Sequence, residues 1–195
     1  MIHIALVGLP GAGKSTVGKA LARQLGAPFV DLDQYIEAET GQRIPDLFAA
    51  RGETGFRAVE WTSLRALTTA FATRDCVLAT GGGVVVTEDC RQLLQNTWWT
   101  FFLRARVATL AGRLQQETDH RPLLQTEVPL LDRLTSLSAE RTALYEQTAR
   151  RTVAADGRSV LEIVTDILDE RGLFLHKTES APHGAVGGTT ERAAH

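Results

Sequence analysis

Lysine is almost missing from this chain, with three residues in 195, at positions 14, 19 and 177. Acidic side chains slightly outnumber basic ones, 23 to 21, and the formal charge is −2. That balance gives no global attraction to nucleic acid or to an anionic membrane. Cysteine is scarce too. Cys76 and Cys90 show no metal-ligand spacing and sit in different predicted elements; they read as two reduced, partly buried thiols, with a disulfide between them left open. No apolar run approaches the ~18 residues of a membrane span. The opening "MIHIALVGLPG" lacks a basic segment ahead of its apolar residues, so it reads as a strand and not a signal peptide. What remains is the profile of a soluble, cytoplasmic, single-domain globule, with 44% hydrophobic residues to build its core.

Strand-like apolar runs alternate with helix-like periodic segments, the pattern of a parallel α/β sheet with right-handed crossovers. Strands are predicted at 2–7, 28–31, 76–79, 98–103 and 151–155. Helices are predicted at 14–25, 34–40, 44–50, 53–71, 87–95, 106–115, 128–149 and 158–171. Beyond that, 176–195 is small and polar, with no large apolar residue after Leu175, and 174–195 is expected to be a disordered tail.

"GLPGAGKST", Gly8 to Thr16, fits G-x-x-x-x-G-K-[ST], with an apolar strand before it and an amphipathic helix after it. Glycines let successive backbone N–H groups face phosphate oxygens, and the helix N-terminus adds partial positive charge. Lys14 is placed to bridge the terminal phosphates of a nucleotide, and the Ser15 hydroxyl to ligate Mg²⁺. One of only three lysines standing here argues against a fortuitous glycine turn. The motif names a phosphate donor but not an acceptor. No N-K-x-D guanine motif occurs and the chain is short for a motor or transporter ATPase, so a small-molecule kinase is the leading class.

Three polar oddities bear on the acceptor. In "FVDLDQYIE", Asp31 and Asp33 stand two apart at the end of a strand, on the sheet edge where ligands bind in open parallel sheets. Asp31 suits Mg²⁺ through water. Asp33 suits substrate hydroxyls and their proton, and equally suits the N-cap of the next helix. In "GETGFRAVEW", Arg57 shares a helical stripe with Glu60, Leu64, Leu67 and Phe71; Arg141 closes a stripe of Leu130, Leu134 and Leu137. A buried guanidinium costs several kcal/mol unless an anion answers it. Either Glu60 and similar carboxylates answer these arginines, or a ligand carboxylate does. Finally, "ETDHRPLL" lies between helices and carries Arg121, as an ordinary loop or as a lid that closes on the phosphates.

"GLPGAGKST", "DLDQYIE", "GETGFRAVE", "ATGGGVV", "RPLL" and "ERTALYEQTA", in this order over about residues 3–171, closely resemble shikimate kinase. The resemblance implies a three-layer αβα fold, a five-stranded parallel sheet in the order 2-3-1-4-5, and a kinase domain over 1–173 with a lid at about 115–127. It implies ATP-dependent phosphorylation of the 3-hydroxyl of shikimate, a step toward chorismate and the aromatic amino acids, by a monomer. Carried over residue by residue, Gly11, Ala12, Gly13, Lys14, Ser15 and Thr16 hold the ATP phosphates, with Mg²⁺ on Ser15 and, through water, on Asp31. Asp33 is the proposed base. Arg57 and Arg141 clamp the shikimate carboxylate, Phe48 and Phe56 pack around its ring, and Gly81, Gly82 and Gly83 offer bare backbone. Arg121 is the lid arginine, Arg113 flanks adenine, and Arg158 is a candidate to stack on the base. On this reading the three glycines exist because a β-carbon would occupy the substrate's place. Two rivals stand beside it: a kinase of another hydroxylated acid such as gluconate or quinate, and a nucleotide-binding sensor that regulates a partner.

Overall fold

A computed structural model describes residues 1–118, 129–170 and 172. Its frame is a five-stranded, wholly parallel sheet. The strands are β1 (His3–Val7), β2 (Phe29–Asp31), β3 (Cys76–Ala79), β4 (Trp99–Arg104) and β5 (Arg151–Ala154), in the spatial order β2-β3-β1-β4-β5, as the resemblance implied. Central β1 pairs on both sides, Ala5 facing Leu78 of β3 and Thr100 of β4. Ile4, Ala5, Leu6 and Val7 are all inaccessible to solvent. A strand covered on both faces needs an unbroken apolar run, which is why β1 and β3 do not alternate.

The helices are α1 (Lys14–Leu25), α2 (Leu32–Thr40), α3 (Ile44–Ala70), α4 (Glu88–Thr97), α5 (Val107–Thr118), α6 (Leu130–Thr148) and α7 (Val160–Glu170). α1 packs on β3 and α7, while α6 gathers α4, α5 and β4. The two helices expected at 44–50 and 53–71 are both present, running on as α3 and separated at Gly52, whose φ of 65° and ψ of −179° no helix accommodates. A 3-10 turn at Val84–Val86, absent from the sequence reading, joins the glycine run to α4. Helix α5 continues to Thr118, so the first residues of the expected lid are its last turn; 119–128 lie outside the described residues. The expected tail lies outside them as well.

Both cysteines are free and buried, and burial pushes the Cys76 thiol up to about 11 and the Cys90 thiol to about 12. Thiols so placed stay protonated and inert. Among the described residues no helix is long and apolar enough to cross a membrane.

Candidate active site

The carboxyl edge of the sheet opens into two adjoining cavities. One, of about 580 Å³, is lined by Pro10 to Val17 together with Asp31, Asp33, Thr80, Gly82, Arg113 and Arg158. Its floor is the turn between β1 and α1, where Gly11 (φ 78°) and Gly13 (φ 88°) occupy backbone space that side chains rarely tolerate. Gly13 caps α1 without a side chain to offer, so the first N–H groups of the helix are left for an anion. The Lys14 ammonium donates to the Gly8 and Leu9 carbonyls at 2.8 and 3.0 Å. Burial pulls its pKa down to about 8, against the opposing charges of Asp33 and Asp31. A loop that supplies its own lysine with carbonyls holds that charge in place before any phosphate arrives.

Ser15 Oγ donates to Asp31 Oδ2 at 2.6 Å. The other oxygen of that carboxylate, Oδ1, accepts from the backbone N–H groups of Asp33 (3.1 Å) and Gln34 (3.4 Å). Asp31 is therefore the N-cap of α2, and the expectation that Asp33 stands at the cap is corrected. The reason is that β2 ends one residue before the helix begins: Asp31 is still extended (φ −102°, ψ 120°), and Asp33 is already in the first helical turn. The two carboxylates reach one cleft from a strand end and a helix start, not from alternate positions of a strand. Burial and the Asp31 charge push the Asp33 pKa up, with Lys14 pulling the other way.

The hydroxyl–carboxylate pair suits Mg²⁺, which takes one or two protein oxygens and completes its shell with water and phosphate. Among the described residues no cluster of three or more histidine, cysteine or acidic side chains forms an all-protein cage. The donor set therefore fits a metal that arrives with a nucleotide.

The second cavity, about 320 Å³, is lined by Pro10, Asp33, Phe48, Phe56, Arg57, Gly81, Gly82, Gly83 and Arg141, among others. Every residue expected around the substrate is thus brought together. Phe48 and Phe56 stack with centroids 4.2 Å apart, and the Arg57 guanidinium lies over both rings. Arg57 is answered within the protein: it meets the buried Glu60 at 2.7 Å and the exposed Glu53 at 3.1 Å. Arg141 has a weaker answer, donating from Nη1 to the Gly82 carbonyl at 3.1 Å. Buried Arg57 Nε, Arg141 Nε and Glu60 Oε1 have no hydrogen-bond partner. So the inward arginines are half satisfied: Arg57 by carboxylates, Arg141 by neutral groups, the Gly82 carbonyl and the Tyr145 hydroxyl beside it.

The glycine run is also required by the protein's own packing. A β-carbon at Gly81 would lie 2.6 Å from Asp33 Oδ1, one at Gly82 would lie 2.8 Å from Pro10 Cδ, and one at Gly83 would collide with the Arg57 guanidinium. Each glycine makes room for a side chain of the site, and all three also line the acceptor cavity. Bare backbone is needed here because three functional elements converge on one turn.

On the donor side, Arg113 donates to the Gly11 carbonyl at 3.3 Å and to the Ala155 carbonyl at 2.9 Å, tying the phosphate loop to the end of β5. Arg158 lines the donor cavity but is paired with Asp166 at 2.6 Å. Arg121 lies outside the described residues.

A family model described as shikimate kinase matches residues 10–171. The chain belongs to the shikimate kinase family. It is 41% identical over 175 residues to the shikimate kinase of Symbiobacterium thermophilum, covering 88% of this chain and 98% of that one. Among solved structures it resembles the shikimate kinase of Acinetobacter baumannii in complex with shikimate (33% identity, TM-score 0.78, covering 92% and 97% of the two chains). The shikimate kinase of Bacteroides thetaiotaomicron is similarly near (33% identity, TM-score 0.80, covering 88% and 98%).

Within this shikimate kinase family member, sequence reasoning passed over four residues of the site. Pro10 lines both cavities, and its ring sits against Gly82. Glu53 holds the second face of Arg57. Arg133 lines the acceptor cavity two turns before Arg141, a spacing of eight that was legible in the sequence. Tyr145, fully buried, donates its hydroxyl to the Gly82 carbonyl at 2.5 Å; it stands four residues after Arg141 and so on the same face of α6.

Proposed function

We propose that this protein transfers the γ-phosphoryl group of ATP to the 3-hydroxyl of shikimate, giving shikimate 3-phosphate and ADP. One observation carries the reading: the phosphate-loop cavity and the arginine-lined cavity meet at Asp33, Gly82 and Pro10, so a donor phosphate and an acceptor hydroxyl would share a single carboxylate.

The loop Gly11 to Thr16 holds the triphosphate with its backbone N–H groups, and Lys14 neutralises charge on the transferring group. Mg²⁺, when bound at Ser15 and Asp31, supplies further neutralisation of the phosphate oxygens. Arg57 and Arg141 take the acceptor carboxylate, while Phe48 and Phe56 flank its ring. Asp33 accepts a hydrogen bond from the acceptor hydroxyl. As the hydroxyl oxygen bonds to phosphorus, the bond from phosphorus to the bridging oxygen of ADP breaks, ADP keeps that electron pair, and the proton passes to Asp33. Its raised pKa supports this role, because a carboxylate closer to neutrality in basicity holds a proton better. Most of the rate comes from alignment and charge neutralisation, since a loose transition state asks little of a base.

ADP release coupled to a spectrophotometric readout, with shikimate, quinate and gluconate offered in parallel, tests the proposal. Turnover confined to shikimate and dependent on Lys14 supports it. Turnover on quinate or gluconate in preference to shikimate, or binding of nucleotide without turnover on any of the three, would overturn it.

A further inference from the structure

Two donors converge on the Gly82 carbonyl, Arg141 Nη1 at 3.1 Å and the Tyr145 hydroxyl at 2.5 Å. A carbonyl oxygen has two lone pairs and accepts both, so either donor alone satisfies it. The two are not equally free to leave. Tyr145 is fully buried and stacked on Phe102 at 4.9 Å, a ring held in the core. Arg141 lines the acceptor cavity, and its buried Nε has no partner. α6 itself packs on the 3-10 turn that follows the glycines.

We infer that Tyr145 is a positioning residue for acceptor binding: it keeps the Gly82 carbonyl satisfied so that Arg141 can turn from it to the acceptor's carboxylate. The inference rests on the arginine clamp proposed above. Without the hydroxyl, Arg141 must choose. In the free enzyme it stays on the carbonyl; on binding an anion it leaves a half-buried carbonyl without a protein donor, a loss charged to the acceptor and not to folding. A tyrosine that merely fills the core behaves in the opposite way, affecting stability and leaving acceptor affinity alone.

The test is Tyr145→Phe, measured by steady-state kinetics, by equilibrium binding of shikimate and by thermal unfolding, beside Arg141→Met and the double variant. Tyr145→Phe is expected to raise KM and Kd for shikimate roughly tenfold. It should leave KM for ATP within about twofold and barely move Tm, because Arg141 still answers the carbonyl in the free enzyme. In the Arg141→Met background the same change should lower Tm by on the order of 5 °C, since no donor then remains. Unchanged shikimate affinity in Tyr145→Phe, a Tm loss in it equal to that in the Arg141→Met background, or failure of Tyr145→Phe to fold would each overturn the inference. If Arg141→Met itself leaves shikimate binding intact, the clamp fails and takes this inference with it; if only Tyr145→Phe is silent, the clamp stands alone.

Discussion

Asp31 faces Ser15 with one carboxylate oxygen, at 2.6 Å, and caps α2 with the other. The residue that fits a metal is thus also the residue that starts the helix carrying Asp33. A metal that took Oδ2 would leave Oδ1 on the backbone, so Asp33 would keep its support.

The two duties of Asp31 separate by substitution. Asparagine caps a helix about as well as aspartate, while alanine does not. Asp31→Asn is therefore expected to raise the Mg²⁺ concentration needed for half-maximal activity with little change in stability. Asp31→Ala should show the same Mg²⁺ defect and lose a further ~1 kcal/mol of stability from the missing cap. Magnesium titration of activity and urea unfolding of the two variants check this. Equal stability losses in both would remove the capping half of the account.

The glycine run predicts three distinct phenotypes from three alanine substitutions. At Gly81 the new methyl group crowds Asp33 Oδ1, so turnover should fall more than shikimate affinity. At Gly83 it displaces the Arg57 guanidinium, so KM for shikimate should rise. At Gly82 it meets the Pro10 ring, which cannot swing aside, so the phosphate loop must shift and both substrates should bind more weakly. Kinetics of the three variants with each substrate varied in turn decide the matter; indistinguishable defects would contradict it.

The activity should be bounded by pH on both sides. Lys14, with its pKa lowered to about 8 by burial, is charged below that value and neutral above it. In the free enzyme kcat/KM for ATP should fall as pH rises through about 8. The limb in kcat should lie higher, because bound phosphate favours the ammonium. Asp33 is raised, chiefly by burial, so its acid limb should lie above the usual carboxylate value of about 4. Asp33→Asn should lose activity by about 10²-fold, the low end for general-base removal, and lose the acid limb with it. A kcat/KM for ATP that stays flat through about pH 8 to 9 would disagree with the Lys14 assignment, and an acid limb no higher than the ordinary carboxylate value would disagree with that of Asp33.

Much of this site was legible in one dimension because its parts are local. The phosphate loop is a contiguous motif between a strand and a helix, and α1 begins at Lys14 as that motif requires. Arg57 and Arg141 betray themselves as charges set in apolar helical stripes, and both line the acceptor cavity. What could not be read is long-range. That Gly82 would answer Arg141 across 59 residues, or that Pro10 would sit against Gly82, depends on how β1, β3 and α6 meet at the sheet edge. Asp31 and Asp33 exchanged the capping role because a strand-to-helix boundary moved by about two residues, the scale on which such boundaries are soft. The glycines were read as a close approach, but the protein side chains that crowd them, Asp33, Pro10 and Arg57, were not legible, since sequence reports that a side chain is missing and not what fills its space.

Glu60 holds Arg57 from the buried side. Its side chain is only 1% exposed, against 13% for Arg57, and it is the inner of the two carboxylates on that guanidinium. Burial drives its pKa up and the Arg57 charge pulls it back down, so the ion pair survives only while both partners are present. Glu60→Ala leaves a largely buried guanidinium with the exposed Glu53 alone. Breaking a buried pair from one side costs about 3–5 kcal/mol; the cleft admits water, so a loss near 3 kcal/mol is expected. Arg57 would then be free to swing toward Glu53, and shikimate affinity should fall with stability. Glu60→Gln keeps the hydrogen bond to Nη1 while removing the charge, and should lose less of both. Denaturant unfolding at constant m-value gives the first quantity, and shikimate binding the second. If Glu60→Ala binds shikimate as well as the parent, Glu60 supports the fold and not the clamp, and Arg57 is oriented by Glu53 and the two phenylalanine rings alone.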